Sequence, residues 1–250
     1  MRKLIFGLAI AVAALAMPAV ASADIRAVLG AQYSNVDNGA GDNSNVYGLN
    51  GAFNNDFSNG WTVQADAANL RNDNGGGVNL GAGYGAVEIG VRNDQYAIYG
   101  SFGLADASGV PSTTAFGIGG QYYLNNITLD GSFTYADVDG LNSNPTQIAV
   151  DGTYFFNDNL GVTARYAHTD LDAGSNSDFN TWGIGAEYRF DNSPVSVNVA
   201  YSSTDTNPDN TQVWSIGVKL DFGSSSLHDR SQHGPSWNSA STFFGDVSGL

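Results

Sequence analysis

Residues 127–135 read Ile-Thr-Leu-Asp-Gly-Ser-Phe-Thr-Tyr. Ile127, Leu129, Gly131, Phe133 and Tyr135 take the odd positions, and Thr128, Asp130, Ser132 and Thr134 take the even ones. Successive side chains on a strand point to opposite faces, so this stretch is a strand with one apolar and one polar face.

The same alternation recurs in both directions. Toward the C-terminus it continues in Leu160-Val162-Ala164-Tyr166, Trp182-Ile184-Ala186-Tyr188-Phe190, Val195-Val197-Val199-Tyr201 and Trp214-Ile216-Val218-Leu220-Phe222. Toward the N-terminus it runs through Ile148-Val150-Gly152-Tyr154, Phe116-Ile118-Gly120-Tyr122, Trp61-Val63-Ala65-Ala67, Tyr47-Leu49-Gly51-Phe53 and Ala27-Leu29-Ala31-Tyr33. After Tyr84 the apolar parity passes to Val87, Ile89 and Val91, which predicts a β-bulge there.

Breaks rich in Asn, Asp, Gly and Pro separate these segments. Short ones at 54–60, 92–95, 125–126, 157–159 and 191–194 alternate with longer ones at 35–45, 72–77, 106–113, 137–145, 169–180 and 203–211. The implied strands lie near 25–35, 46–54, 60–71, 77–91, 95–105, 113–124, 127–136, 146–156, 159–168, 180–190, 194–203 and 211–222. An even set of about ten-residue dyad strands, with short turns on one side and long loops on the other, predicts an all-β fold: a closed antiparallel transmembrane β-barrel of about 12 strands.

A soluble β-sandwich alternates too, and aromatic placement separates the two. Tyr33, Tyr47, Phe102, Phe116, Tyr135, Tyr166, Trp182, Tyr201 and Trp214 gather toward the long loops. Phe53, Trp61, Tyr96, Tyr122, Tyr154, Tyr188, Phe190 and Phe222 gather toward the short turns. Two aromatic girdles around an aliphatic band suit a bilayer.

Arg2 and Lys3, the apolar run to Ala16, Pro18 and the small-x-small site Ala21-Ser22-Ala23 read as a secretory signal peptide. A membrane anchor would need a longer apolar run. The domains expected are therefore a leader at 1–23, a barrel at 24–222 and a tail at 223–250. The tail lacks the alternation; a periplasmic extension and a mobile plug are both open, and a flexible extension is the default expectation.

The net charge is −15, which excludes the basic footprint of a nucleic-acid partner. With no cysteine in the chain there is no disulfide framework. Aromatic residues make up 12%, too many for a disordered chain.

Catalytic and metal motifs are sparse. The histidines are His168, His228 and His233, and none forms a zinc-spaced pair. Gly75-Gly76-Gly77 lacks the Lys-Ser/Thr and the helix of a phosphate loop. The inward parity carries the candidate pore-lining charges: Arg26, Asp66, Asp130, Asp151, Arg165, Glu187, Arg189, Lys219 and Asp221, with Glu88 depending on the bulge. Twelve strands give a backbone diameter of roughly 24 Å, and side chains leave about 10 Å. Mixed inward charge fits either a water-filled pore or a lumen plugged by salt-bridged side chains, and the many inward Gly, Ala, Ser and Thr favour an opening.

The long loops hold Asp37, Asp42, Asp73, Asp106, Asp137, Asp139, Asp170, Asp172, Asp178, Asp205 and Asp209, against Arg71 alone. Such a rim would either simply keep the mouth solvated or attract cations.

The leader, hairpins such as Gly152-Thr153-Tyr154-Phe155-Phe156-Asn157-Asp158-Asn159-Leu160, and the closing Leu220-Asp221-Phe222 resemble the porin-like outer-membrane β-barrel proteins of Gram-negative bacteria. The resemblance covers residues 24 to about 222. It implies a bacterial outer-membrane location, contact with outer-membrane lipid, and recognition of Phe222 by the barrel-assembly machinery. The function expected is passive diffusion of small hydrophilic solutes, non-enzymatic and without cofactor or metal. One alternative is a non-conducting barrel for adhesion or envelope integrity. A lesser one is an outer-membrane hydrolase using His168.

Overall fold

The computed structural model describes residues 24–39, 43–73, 79–108, 110–140, 144–172, 178–205 and 210–247. The expected leader, the triple glycine at 75–77, Asp42 and Asp209 lie outside them.

Twelve strands are found among the described residues: β1 (Asp24–Asp37), β2 (Asn43–Asp56), β3 (Trp61–Asp73), β4 (Asn79–Arg92), β5 (Tyr96–Ala107), β6 (Val110–Leu124), β7 (Ile127–Val138), β8 (Thr146–Asn157), β9 (Leu160–Asp170), β10 (Asp178–Arg189), β11 (Val195–Asp205) and β12 (Asn210–Phe222). Each pairs antiparallel with its neighbours in sequence. β12 closes on β1 from Ala27 opposite Phe222 to Asp37 opposite Gln212. Closure leaves no open edge, the condition for a sheet in lipid.

The outer face is the apolar one. Leu49 is 66% exposed, Ile118 65% and Ile148 57%, values that make sense only with lipid as their solvent. Aromatics pack at both ends, across strands near the long loops and within β8 near a short turn. Trp182–Tyr201 and Tyr201–Trp214 meet at 5.3 and 4.6 Å near the long loops, and Tyr154–Phe156 meet at 4.9 Å near a short turn.

The bulge expected after Tyr84 is absent. β4 pairs with β3 and with β5 without a register shift. Tyr84 instead faces the lumen, with Ala86 and Glu88 on the same parity, and it packs against Phe244 at 5.6 Å. Tyr84 mimicked a lipid-facing aromatic because its true partner lies far along the chain. The register does shift at Ala105/Ala107 in β5 and at Phe155/Asn157 in β8.

The tail is the larger correction. Beyond Phe222 the chain does not extend away from the barrel but turns into its lumen. Gly223 makes that turn at φ +94°, where a Cβ would lie 2.9 Å from the Ile25 carbonyl oxygen. Helix α1 (Leu227–His233) follows, then α2 (Ser239–Val247). Ser226 caps α1 by accepting the Asp229 N–H at 3.0 Å.

Helix α2 lies along the wall formed by β4–β8. Its Phe243 and Phe244 pack with Ala240 against Ala86, Ala115 and Ala136. A Cβ at Gly103 would sit 2.7 Å from the Phe244 ring. The small inward residues on this side therefore make room for a helix rather than for an open pore. The apolar side chains Leu227, Trp237, Phe243 and Phe244 are all buried, and this burial offsets part of the ordering entropy of the terminus.

Candidate functional site: the lumen and its tail

The candidate charges all stand on the inner wall, and the tail meets four of them, Arg26, Arg165, Glu187 and Asp221, with complementary charge. Glu187 on β10 accepts from Lys219 on β12 at 2.8 Å and from Arg230 on α1 at 2.8 Å. Asp221 lies 3.4 Å from Arg189 and 3.6 Å from Arg230. Arg26 on β1 donates to Asp229 at 2.8 Å. Arg165 on β9 bridges the wall carboxylate Asp151 at 3.6 Å and the tail carboxylate Asp246. Gln147 holds that same Asp246 at 2.8 Å. Each tail charge thus faces an opposite charge on a strand, which specifies the tail's register as well as its attachment.

Burial alone would raise the pKa of Asp229. Bonds from His233, the Ser225 N–H and Arg26 outweigh it and hold the carboxyl below the usual carboxylate range.

Asp66 stands on β3 and Asp130 on β7. Both line a cavity of about 580 Å³ beside the tail, together with Asp151, Arg165, Glu187 and Lys219. Tyr99 on β5 donates to Asp130 at 3.4 Å. Glu88 also faces inward and is fully buried.

The sequence reading missed a second group. Trp237, between α1 and α2, is buried against Ala97 and Tyr99 of β5 and Tyr123 of β6. Its ring stacks on Tyr99 at 4.7 Å with a 6° interplanar angle, and the Arg92 guanidinium lies over it at 4.6 Å. The side-chain amide of Gln64 accepts from the Trp237 N–H at 3.1 Å and donates to its carbonyl at 2.6 Å. A signal was present: Leu227, Trp237 and Phe243-Phe244 are too apolar for a solvated terminus.

His168 is exposed on the outer face, and its Nδ1 lies 2.9 Å from Asn180 Oδ1, which also accepts from Tyr166. That is an interfacial polar cluster, not a nucleophile–base pair. Among the described residues no group of three potential metal ligands occurs.

The fold is that of the outer-membrane porins of Gram-negative bacteria. The NanC porin superposes with a TM-score of 0.61 at 12% identity, over 78% of this chain and 100% of its own. The KdgM porin in complex with disordered oligogalacturonate superposes with a TM-score of 0.58 at 10% identity, over 78% of this chain and 99% of its own. At such identity the likeness is one of architecture. No protein-family model and no curated protein sequence matches the chain.

Proposed function

We propose that this barrel is a channel for small hydrophilic solutes in a bacterial outer membrane, with its lumen narrowed by its own C-terminal tail. The observation that carries this reading is how the lumen is filled. Under α2 the inward residues of β4–β7 are small, Ala86, Gly103, Ala115 and Ala136 among them, and what occupies the space is a separate segment held also by ion pairs and side-chain hydrogen bonds around a remaining polar cavity. A barrel meant to be solid could fill itself with large inward side chains. Catalysis has no part in this reading.

The solute class follows from charge. The exposed aspartates of the long-loop rim, among them Asp139, Asp170 and Asp172, favour cationic or neutral solutes over polyanions. The KdgM porin was solved with an oligogalacturonate, and a ligand of that charge would be disfavoured at this rim.

Single-channel recording in planar bilayers tests the proposal. Full-length protein should pass a small current. A chain ending at Phe222 should pass several-fold more, consistent with an emptied bore of about 10 Å. A tail-filled lumen also fits a non-conducting barrel for envelope integrity or adhesion. That reading prevails if neither form conducts.

A further inference from the structure

The Trp237 pocket is built almost entirely by the barrel wall. Gln64, Arg92 and Tyr99 come from three adjacent strands, β3, β4 and β5, and so stand in place whether or not the tail is present. Gly119 on β6 leaves the room that the Tyr99 ring occupies, because a Cβ there would collide with it. Arg92 keeps a wall partner of its own, Asp56 at 3.6 Å. The wall therefore offers a flat phenol face, a guanidinium to lie over a π-system, and a primary amide that both donates and accepts. Gln64 and Trp237 also line the 580 Å³ cavity, so the pocket adjoins the free part of the lumen.

We propose that Gln64, Arg92 and Tyr99 form a binding site for an uncharged, electron-rich planar ring carrying a neighbouring amide, and that Trp237 occupies it as the chain's own ligand. Arg92 over the ring disfavours a cationic ring and favours indole- or phenol-like ones. The paired hydrogen bonds of Gln64 match one amide N–H and one carbonyl, the pattern that Trp237 itself presents. A solute of this class would compete with Trp237 and loosen the tail from the wall. Beside the pocket, Gln121 to the Ser236 carbonyl at 3.1 Å and Asn54 to the His233 carbonyl at 2.8 Å are polar bonds that water can replace, while α2 keeps its own apolar packing through Phe243 and Phe244.

This inference rests on the channel reading for its access route. Its test measures binding rather than current, so its failure leaves that reading standing.

The test uses full-length Trp237→Gly protein, refolded in detergent and checked for heat-modifiable migration, with N-acetyl-tryptophanamide as titrant in calorimetry. Saturable one-to-one binding is expected. It should be about ten-fold weaker in the Trp237→Gly, Tyr99→Leu double variant, the effect of losing one stacked ring. A folded Trp237→Gly protein that does not bind, or a double variant that binds equally well, overturns the proposal.

If Trp237→Gly does not refold, the wild-type protein decides. N-acetyl-tryptophanamide should speed tryptic cleavage after Arg230 relative to N-acetyl-leucinamide, which has the same amides and no ring. Equal cleavage with the two compounds overturns the proposal.

Discussion

Arg230 of the tail and Lys219 of β12 share one acceptor, the Glu187 carboxylate, each at 2.8 Å. Glu187→Gln would leave Lys219 without its charge partner and Arg230 with Asp221 alone, in a largely buried setting. Removing one member of such a group costs about 3 kcal/mol. The tail should become more readily cleaved by trypsin after Arg230, while the barrel keeps its heat-modifiable migration. Unchanged tail protection would show that Asp221, 3.6 Å from Arg230, carries the attachment alone.

Gly223 turns the chain into the lumen at φ +94°, against the Ile25 carbonyl. Gly223→Val should cost about 1–2 kcal/mol in backbone conformation, with the steric clash in addition. Amide hydrogen exchange in α1 and α2 should rise, and exchange in the strands should not. Equal protection of the tail in both proteins would refute a hinge at this residue.

Asp229 gives the tail an acid-sensitive contact. Its folded pKa is depressed, so its stabilising contribution is complete above the ordinary carboxylate range and is lost as pH falls from about 4 toward the folded pKa. Tail protection should therefore weaken below about pH 4. Asp229→Asn should weaken it at neutral pH and flatten the acid limb of the profile. An identical limb in the variant would assign the effect to another carboxylate.

The acid-rich rim should give weak cation preference at low salt. Screening confines its field to about 8–10 Å at physiological ionic strength, so the preference should fade as salt rises. Changing Asp137, Asp139, Asp170 and Asp172 together to Asn should reduce the reversal potential. Anion preference at low salt would place the constriction at Arg165, Arg189 and Lys219 instead.

Val150 on β8 points outward and is 51% exposed to the position of lipid. Val150→Arg should destabilise the folded barrel by about 2–4 kcal/mol, the cost of a charge near the bilayer midplane. Reversible unfolding in urea with lipid vesicles measures it. A cost below about 0.5 kcal/mol would argue that the outer face does not meet hydrocarbon, whose penalty is several-fold larger.

The barrel was legible in the sequence because its signal is local. Ile127 to Tyr135 declares two faces by alternation alone, and each residue's preference for lipid or lumen is independent of which strand lies beside it. The same alternation put Arg165, Glu187 and Lys219 on the inner wall. The tail carries no such period. Its place depends on partners far away in the chain: Gln64 meets Trp237 across 173 positions, and Arg26 meets Asp229 across 203. Tyr84 was misread for the same reason, since its parity made sense only once Phe244 was beside it. Strand count, the two faces and the lipid-facing girdles were determined by sequence, because solvent preference acts residue by residue. What fills the lumen was decided by tertiary structure, because the space between strands exists only after the barrel has closed.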